Sequence, residues 1–184
     1  TYTFTPNPVQ CATTATMTVN VYENPTISGN NSVCVGSTIA LSGSGTAATT
    51  NPWVSGTPSV ATVSSTGIVT GVSAGTAIIT YTNNLGCDET ISITVYANPT
   101  ISGTTTLCVG ATSPLIGSGT AATTNPWVSG TPGVATVSNT GLVSAVSAGS
   151  ATITYTNSTG CTPANILVTV LADPNPPTLI VSDT

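Results

Sequence analysis

Shifted along its own length, this sequence lies on itself in one register. Pro25-Thr26-Ile27-Ser28-Gly29 recurs as Pro99-Thr100-Ile101-Ser102-Gly103, a displacement of 99 − 25 = 74, and the whole stretch from Gly43 to Pro58 recurs unchanged from Gly117 to Pro132. Between Pro25 and Cys87, 46 of 63 positions match their counterparts, so the chain reuses one structural unit and any reading of a residue has to hold twice. The registration slips by one position only after Cys161, where Pro174 takes the part of Pro99. Echoes of the unit stand at both ends. Residues 1–22, with Tyr2-Thr3, Cys11 and Thr18 to Tyr22, read as the last strands of a preceding domain. Residues 173–184, with Pro177-Thr178-Leu179-Ile180, read as a linker and the first strand of a following one. The expected organisation is therefore one repeat over 23–97 and a second over 98–172, a window from a longer array rather than a chain opening on a signal peptide.

Within a repeat the apolar residues alternate with period two between turn signals. Thr38 to Ser42 sets Ile39 and Leu41 on one face. Trp53-Val54-Ser55 follows Asn51-Pro52, with Trp53 predicted to face the core. Val60 to Val63, Ile68 to Thr70 and Thr76 to Thr82 read as further strands, and Ile91, Ile93 and Val95 mark the last. Ala77, Ile79 and Tyr81 share a face, and the second copy keeps them as Ala151, Ile153 and Tyr155 while outward Ile78 becomes Thr152. Seven or so short strands per unit, with closely spaced turn signals between them, predict an all-β chain of tandem immunoglobulin-like sandwiches. At about 3.3 Å per residue each would advance the chain by roughly 35 to 45 Å, giving an elongated rod.

Charge narrows the chemistry. The 184 residues contain no Lys, Arg or His and only five acids, for a net charge of -5. No side chain can neutralise nucleic-acid phosphates, and no imidazole or lysine is present to activate a nucleophile, so neither a nucleic-acid binder nor an enzyme is expected. No cofactor is expected either. Solubility falls to neutral polar groups: 40 Thr and 21 Ser, about a third of the chain, where β-branched Thr also favours strands. No apolar run reaches the roughly 20 residues of a membrane span. Without lysine, Lys-Asn isopeptide cross-links cannot form and trypsin has no site, which suits a rod exposed to proteases.

The ordered segments Trp53-Val54-Ser55, Ser59-Val60-Ala61-Thr62-Val63, Gly67-Ile68-Val69-Thr70-Gly71-Val72 and Ala74-Gly75-Thr76-Ala77-Ile78-Ile79, repeated from Trp127 to Ile153, resemble the bacterial immunoglobulin-like group 2 family. That resemblance implies stalk modules of bacterial surface adhesins and large secreted proteins. The Cys-Val-Gly opening and the Gly-Cys before the last strand further resemble repeats in giant surface proteins of Bacteroidota, including gliding-motility adhesins. The paired cysteines and the near-absence of charge depart from most such domains.

Cysteines are the most informative chemistry. Cys34 and Cys87 are separated by 87 − 34 = 53 positions, and Cys108 and Cys161 by the same interval. One disulfide within each repeat is the economical reading, with Cys11 unpaired in this window; bridges between neighbouring domains are the alternative. Either implies an oxidising, exported location, and the resemblance implies the extracellular surface of a bacterial cell. Asp88, Glu89 and Glu23 could approach one another as a calcium site, but the second copy has Thr162, Pro163 and Ala97 there, which favours surface charge and no bound metal. Trp53, Trp127, Tyr81 and Tyr155 are expected in the core rather than as sugar platforms. The identical polar loops from Gly43 and from Gly117 are candidate contact surfaces.

These readings predict structural spacer repeats that bear tension, hold a distal binding region away from the cell, and have neighbouring domains of the same chain as partners. A surface or glycan ligand would lie at the distal end. A multivalent carbohydrate-binding module and a self-assembling surface fibre are the alternatives.

Overall fold

A computed structural model describes residues 2–5 and 15–173, and every regular element among them is a strand. Cys11 and most of the 173–184 segment lie outside the described residues. Near the start, β1 (Tyr2–Phe4) and β2 (Ala15–Met17) pair antiparallel. The first repeat follows with β3 (Ile27–Gly29), β4 (Ser32–Cys34), β5 (Thr38–Gly43), β6 (Trp53–Ser55), β7 (Ala61–Val63), β8 (Ile68–Gly71), β9 (Gly75–Thr82) and β10 (Asp88–Tyr96). The second supplies β11 (Ile101–Gly103), β12 (Thr106–Cys108), β13 (Thr112–Gly117), β14 (Trp127–Ser129), β15 (Ala135–Val137), β16 (Leu142–Ala145), β17 (Gly149–Tyr155) and β18 (Ala164–Leu171).

Each repeat folds as two four-stranded sheets, ordered β3-β5-β8-β7 and β4-β10-β9-β6 in the first and the same way in the second. Alternation places one face of every strand inside. Ala77, Ile79 and Tyr81 of β9 are buried, whereas Ile78 between them is 54% exposed, which explains why it tolerates threonine in the second copy. Across the sandwich they meet Leu41, Ala61 and Val69, with Ile93 and Val95 beside them on β10, in one cluster that Leu115, Ala135, Val143, Val168 and Val170 reproduce in the second repeat. At about 25 cal/mol per Å2 the buried Val, Leu and Ile side chains contribute about 1.5 to 3 kcal/mol each, the main favourable term in a domain this poor in charge.

Trp53 packs on Tyr81 with ring centroids 4.6 Å apart, and Trp127 on Tyr155 at 4.5 Å. Close packing beside these rings dictates a small residue nearby. A Cβ on Gly43 would collide with the Tyr81 ring, and one on Gly117 with that of Tyr155. The loop after Gly43 then turns through Asn51, whose φ of 46° is matched by 45° at Asn125; asparagine adopts this left-handed conformation more readily than other side chains.

One strand departs from the period-two reading. The first strand of each repeat is split: β3 runs antiparallel to β5, then the chain crosses to the other sheet, where β4 runs parallel to the end of β10. Apolar alternation over Val33 and Cys34 is too short to show this crossing, yet it decides where the cysteines lie.

Candidate functional site

The feature that most distinguishes the described residues is the junction between the repeats. The junction is built from two turns. On the first repeat, β4 ends at Cys34 opposite Tyr96, the last residue of β10. The backbone then turns at once, with Ser37 N–H donating to Cys34 C=O at 3.0 Å and Gly36 at φ 80°, the geometry of a type II turn with glycine at its third position. On the second repeat, Cys161 lies in the loop joining β17 to β18. Buried Asn157 shapes that loop, its Oδ1 accepting from Thr159 N–H at 3.3 Å and Thr159 Oγ1 at 2.7 Å.

The structure joins Cys34 to Cys161, with Cα atoms 5.6 Å apart and a sequence separation of 127. Cys87 and Cys108 are free thiols, the first partly buried and the second exposed. The expectation of one bridge within each repeat, Cys34 to Cys87 and Cys108 to Cys161, is therefore corrected. Its failure is geometric. Cys34 stands beside Tyr96 at one end of β10 and Cys87 immediately precedes Asp88 at the other, about eight residue steps or about 26 Å away at roughly 3.3 Å per residue. A disulfide needs Cα atoms within about 7 Å. Each repeat thus carries one cysteine at each end of its longest strand, and the bridge forms across the junction.

The linker is fixed as well. Asn98 Nδ2 donates to Val35 C=O at 3.1 Å, holding the linker to the turn after Cys34. Two residues on, Thr100 N–H donates to Ser118 Oγ at 2.8 Å while Ser118 N–H donates to Thr100 C=O at 2.9 Å, holding it to the second repeat. Between them Pro99 is buried and its ring fixes φ. Ahead of the first repeat, Asn24-Pro25-Thr26 repeats the pattern, with Thr26 N–H on Ser44 Oγ at 2.8 Å.

The remaining candidate residues are dispersed. Trp53 and Trp127 are 8% and 6% exposed, which leaves little of either indole open to a sugar ring; a hollow of about 300 Å3 beside each is also lined by loop residues such as Gly45 and Thr66, or Gly119 and Thr140. Tyr81 and Tyr155 are 2% exposed. Among the described residues no three acidic, cysteine or histidine side chains converge as a metal site, and no helix is long and apolar enough to cross a membrane.

Comparison with known proteins places these sandwiches. The model of the bacterial Ig-like domain (group 2) matches residues 28–95 and 92–168. No curated protein sequence matches the chain. Among solved structures, invasin, a bacterial integrin-binding protein, is similar over 79% of this chain and 38% of its own, with 14% identity and a TM-score of 0.53, a likeness of fold alone. Domains 4 and 5 of the S-layer protein SbsC align over 82% of this chain and 98% of theirs at 26% identity and a TM-score of 0.34. A structure of surface layer protein SbsC domains 1-6 aligns over 82% of this chain at 25% identity and a TM-score of 0.33, and this chain spans 28% of its length.

Proposed function

The chain belongs to the bacterial Ig-like (group 2) family, and from that premise we propose that its repeats are spacer modules in the shaft of an exported bacterial surface adhesin or filament. The observation that carries this reading is the junction. A disulfide and a linker hydrogen-bonded to both repeats restrict one repeat against the next, and a shaft that projects a distal binding region needs that restriction. The disulfide also supports an oxidising location outside the cytoplasm. The pair of β1 and β2 reads as the end of a preceding repeat, and the 173–184 segment as the linker toward a following one. The work is mechanical: the chain bears tension and sets distance, and in a motile cell it would transmit the gliding force.

A spacer is defined by length rather than by surface. In the source organism, deletion of both repeats should weaken attachment, and replacing them with an unrelated, equally long and stiff pair of sandwich domains should restore it. Failure of that replacement, with the protein still displayed, would show that these repeats bind a ligand themselves. An antibody label on the repeats of living cells distinguishes a motile adhesin, whose label travels along the cell, from a static stalk, whose label stays in place.

A further inference from the structure

We propose that Cys87 and Cys108 are the two open halves of the bridge already formed by Cys34 and Cys161, and that an array of these repeats is laced end to end into two interleaved covalent threads without slack. The proposal rests on the reading of the chain as part of such an array. Its first support is positional equivalence. Cys108 ends β12 beside Leu171, the last residue of β18, as Cys34 ends β4 beside Tyr96 of β10. The turn after it is the same, with Ala111 N–H donating to Cys108 C=O at 3.0 Å and Gly110 at φ 84°. Cys87 occupies the loop between β9 and β10 that Cys161 occupies between β17 and β18. There Asn83, buried like Asn157, holds Cys87 in place: its Oδ1 accepts from Cys87 N–H at 3.0 Å, and its N–H donates to Cys87 C=O at 3.0 Å. In the pair that the structure does form, the Cys34 position of one repeat meets the Cys161 position of the next. The same rule gives Cys87 a partner at the Cys34 position of a preceding repeat, and Cys108 a partner at the Cys161 position of a following one.

Each bridge forms by exchange. Two cysteine thiols give up two protons and two electrons to an external disulfide, carried by a thiol oxidoreductase or a small disulfide of the exporting compartment, which leaves as a dithiol. The exposed thiol of Cys108 and the partly exposed one of Cys87 are open to this reaction.

The consequence lies in the path of force. Tension entering at Cys87 through one bridge leaves at Cys108 through the next, and the chain between them is 108 − 87 = 21 steps long. Fully extended, that stretch reaches about 70 Å. In the fold it is already drawn out: β10 runs the length of the first repeat, the Asn98-Pro99 linker crosses the junction, and β11 and β12 carry the chain to the far end of the second. Two sandwiches at the lower end of the expected advance, roughly 35 Å each, occupy the same distance, so the thread has little to release. Cys34 and Cys161 belong to the second thread, offset by one repeat. Without bridges, unfolding one whole repeat would release about 220 Å. Bridges within repeats would hide the stretch between their cysteines and release about 30 Å each time.

The test uses the full-length protein purified from its source without reductant, its free thiols alkylated in acid before peptic digestion. Mass spectrometry should find the peptide bearing Leu85-Gly86-Cys87-Asp88 joined to one from a preceding repeat, and that bearing Leu107-Cys108-Val109 joined to one from a following repeat. Both should accept alkylating reagent only after reduction. Alkylation of either cysteine before reduction, or a Cys34–Cys87 peptide pair, would overturn the lacing while leaving the spacer reading to the length-replacement experiment. Pulling the same protein in a force microscope should give no unfolding steps until a reductant is added, and then steps of about 220 Å. Steps of that size, or of about 30 Å, in the oxidised protein would refute it.

Discussion

Removing the junction disulfide should cost each repeat several kcal/mol, and the pattern among the four described cysteines identifies the bond. The Cys34–Cys161 bridge closes a loop of sequence separation 127, and with one repeat folded about half of that span is the unfolded neighbour. A chain-entropy estimate of −2.1 − 1.5R ln n cal/mol/K then gives about 4 kcal/mol for a loop of about 64 residues, and about 5 kcal/mol if both repeats unfold together. The assay is urea denaturation followed by tryptophan fluorescence, since Trp53 and Trp127 report one repeat each. In a background carrying Cys87→Ala and Cys108→Ala, with neither of those thiols left to exchange, Cys34→Ala and Cys161→Ala should each lower the midpoint by roughly 2 to 4 M, at a slope of about 1 to 2 kcal/mol/M. The double variant should be no worse than either single one, because each already removes the whole bond. The background substitutions alone should leave the midpoint within a few tenths of a molar of the parent. Equal losses from Cys34→Ala and Cys87→Ala in the otherwise unchanged chain would refute the reasoning, since they would mark a bond within the repeat.

Smaller perturbations probe the sandwich itself and the linker between the repeats. Gly43→Ala puts a Cβ into the Tyr81 ring and should destabilise the first repeat by about 1 to 3 kcal/mol in the same urea titration, with Trp127 unaffected. At Asn51, glycine should be tolerated and valine should cost about 1 to 2 kcal/mol, because only the β-branched side chain resists a positive φ. With no cationic side chain there is no side-chain ion pair to screen, so moderate sodium chloride should leave the midpoint almost unchanged; a steep loss with salt would contradict that. In the reduced protein, Asn98→Ala should broaden the distribution of inter-repeat distances measured between spin labels, while the oxidised protein resists the same change.

Most of the sandwich was readable from residue pattern, because period-two alternation acts locally. Ala77, Ile79 and Tyr81 announce a buried face, and the Ile78-to-Thr152 exchange shows which side is wet. What escaped was the short parallel strand ending at Cys34. Three residues carry too little alternation to show that the chain changes sheets there, and parallel pairing with β10 leaves no turn signal between partners. The cysteine pairing went with it. As partners for Cys34, Cys87 and Cys161 occupy equivalent positions in successive copies of one unit, so spacing alone gives both pairings the same standing. Only the length of β10, which holds the two cysteines of a repeat at opposite ends, separates them. The extra residue after Cys161 is the one sequence trace of that loop's difference: β17 pairs Tyr155 with Ala164, one position later than Tyr81 with Glu89.

Cleavage after glutamate tests the junction most directly. The chain has glutamate only at Glu23 and Glu89, so a glutamate-specific protease acting in denaturant separates residues 24–89, with Cys34 and Cys87, from residues 90–184, with Cys108 and Cys161. A bond across the junction predicts that the two fragments migrate as one species without reductant and fall apart when it is added. Two separate fragments before any reductant is added would contradict the latched junction, and with it the account of these repeats as a stiffened shaft.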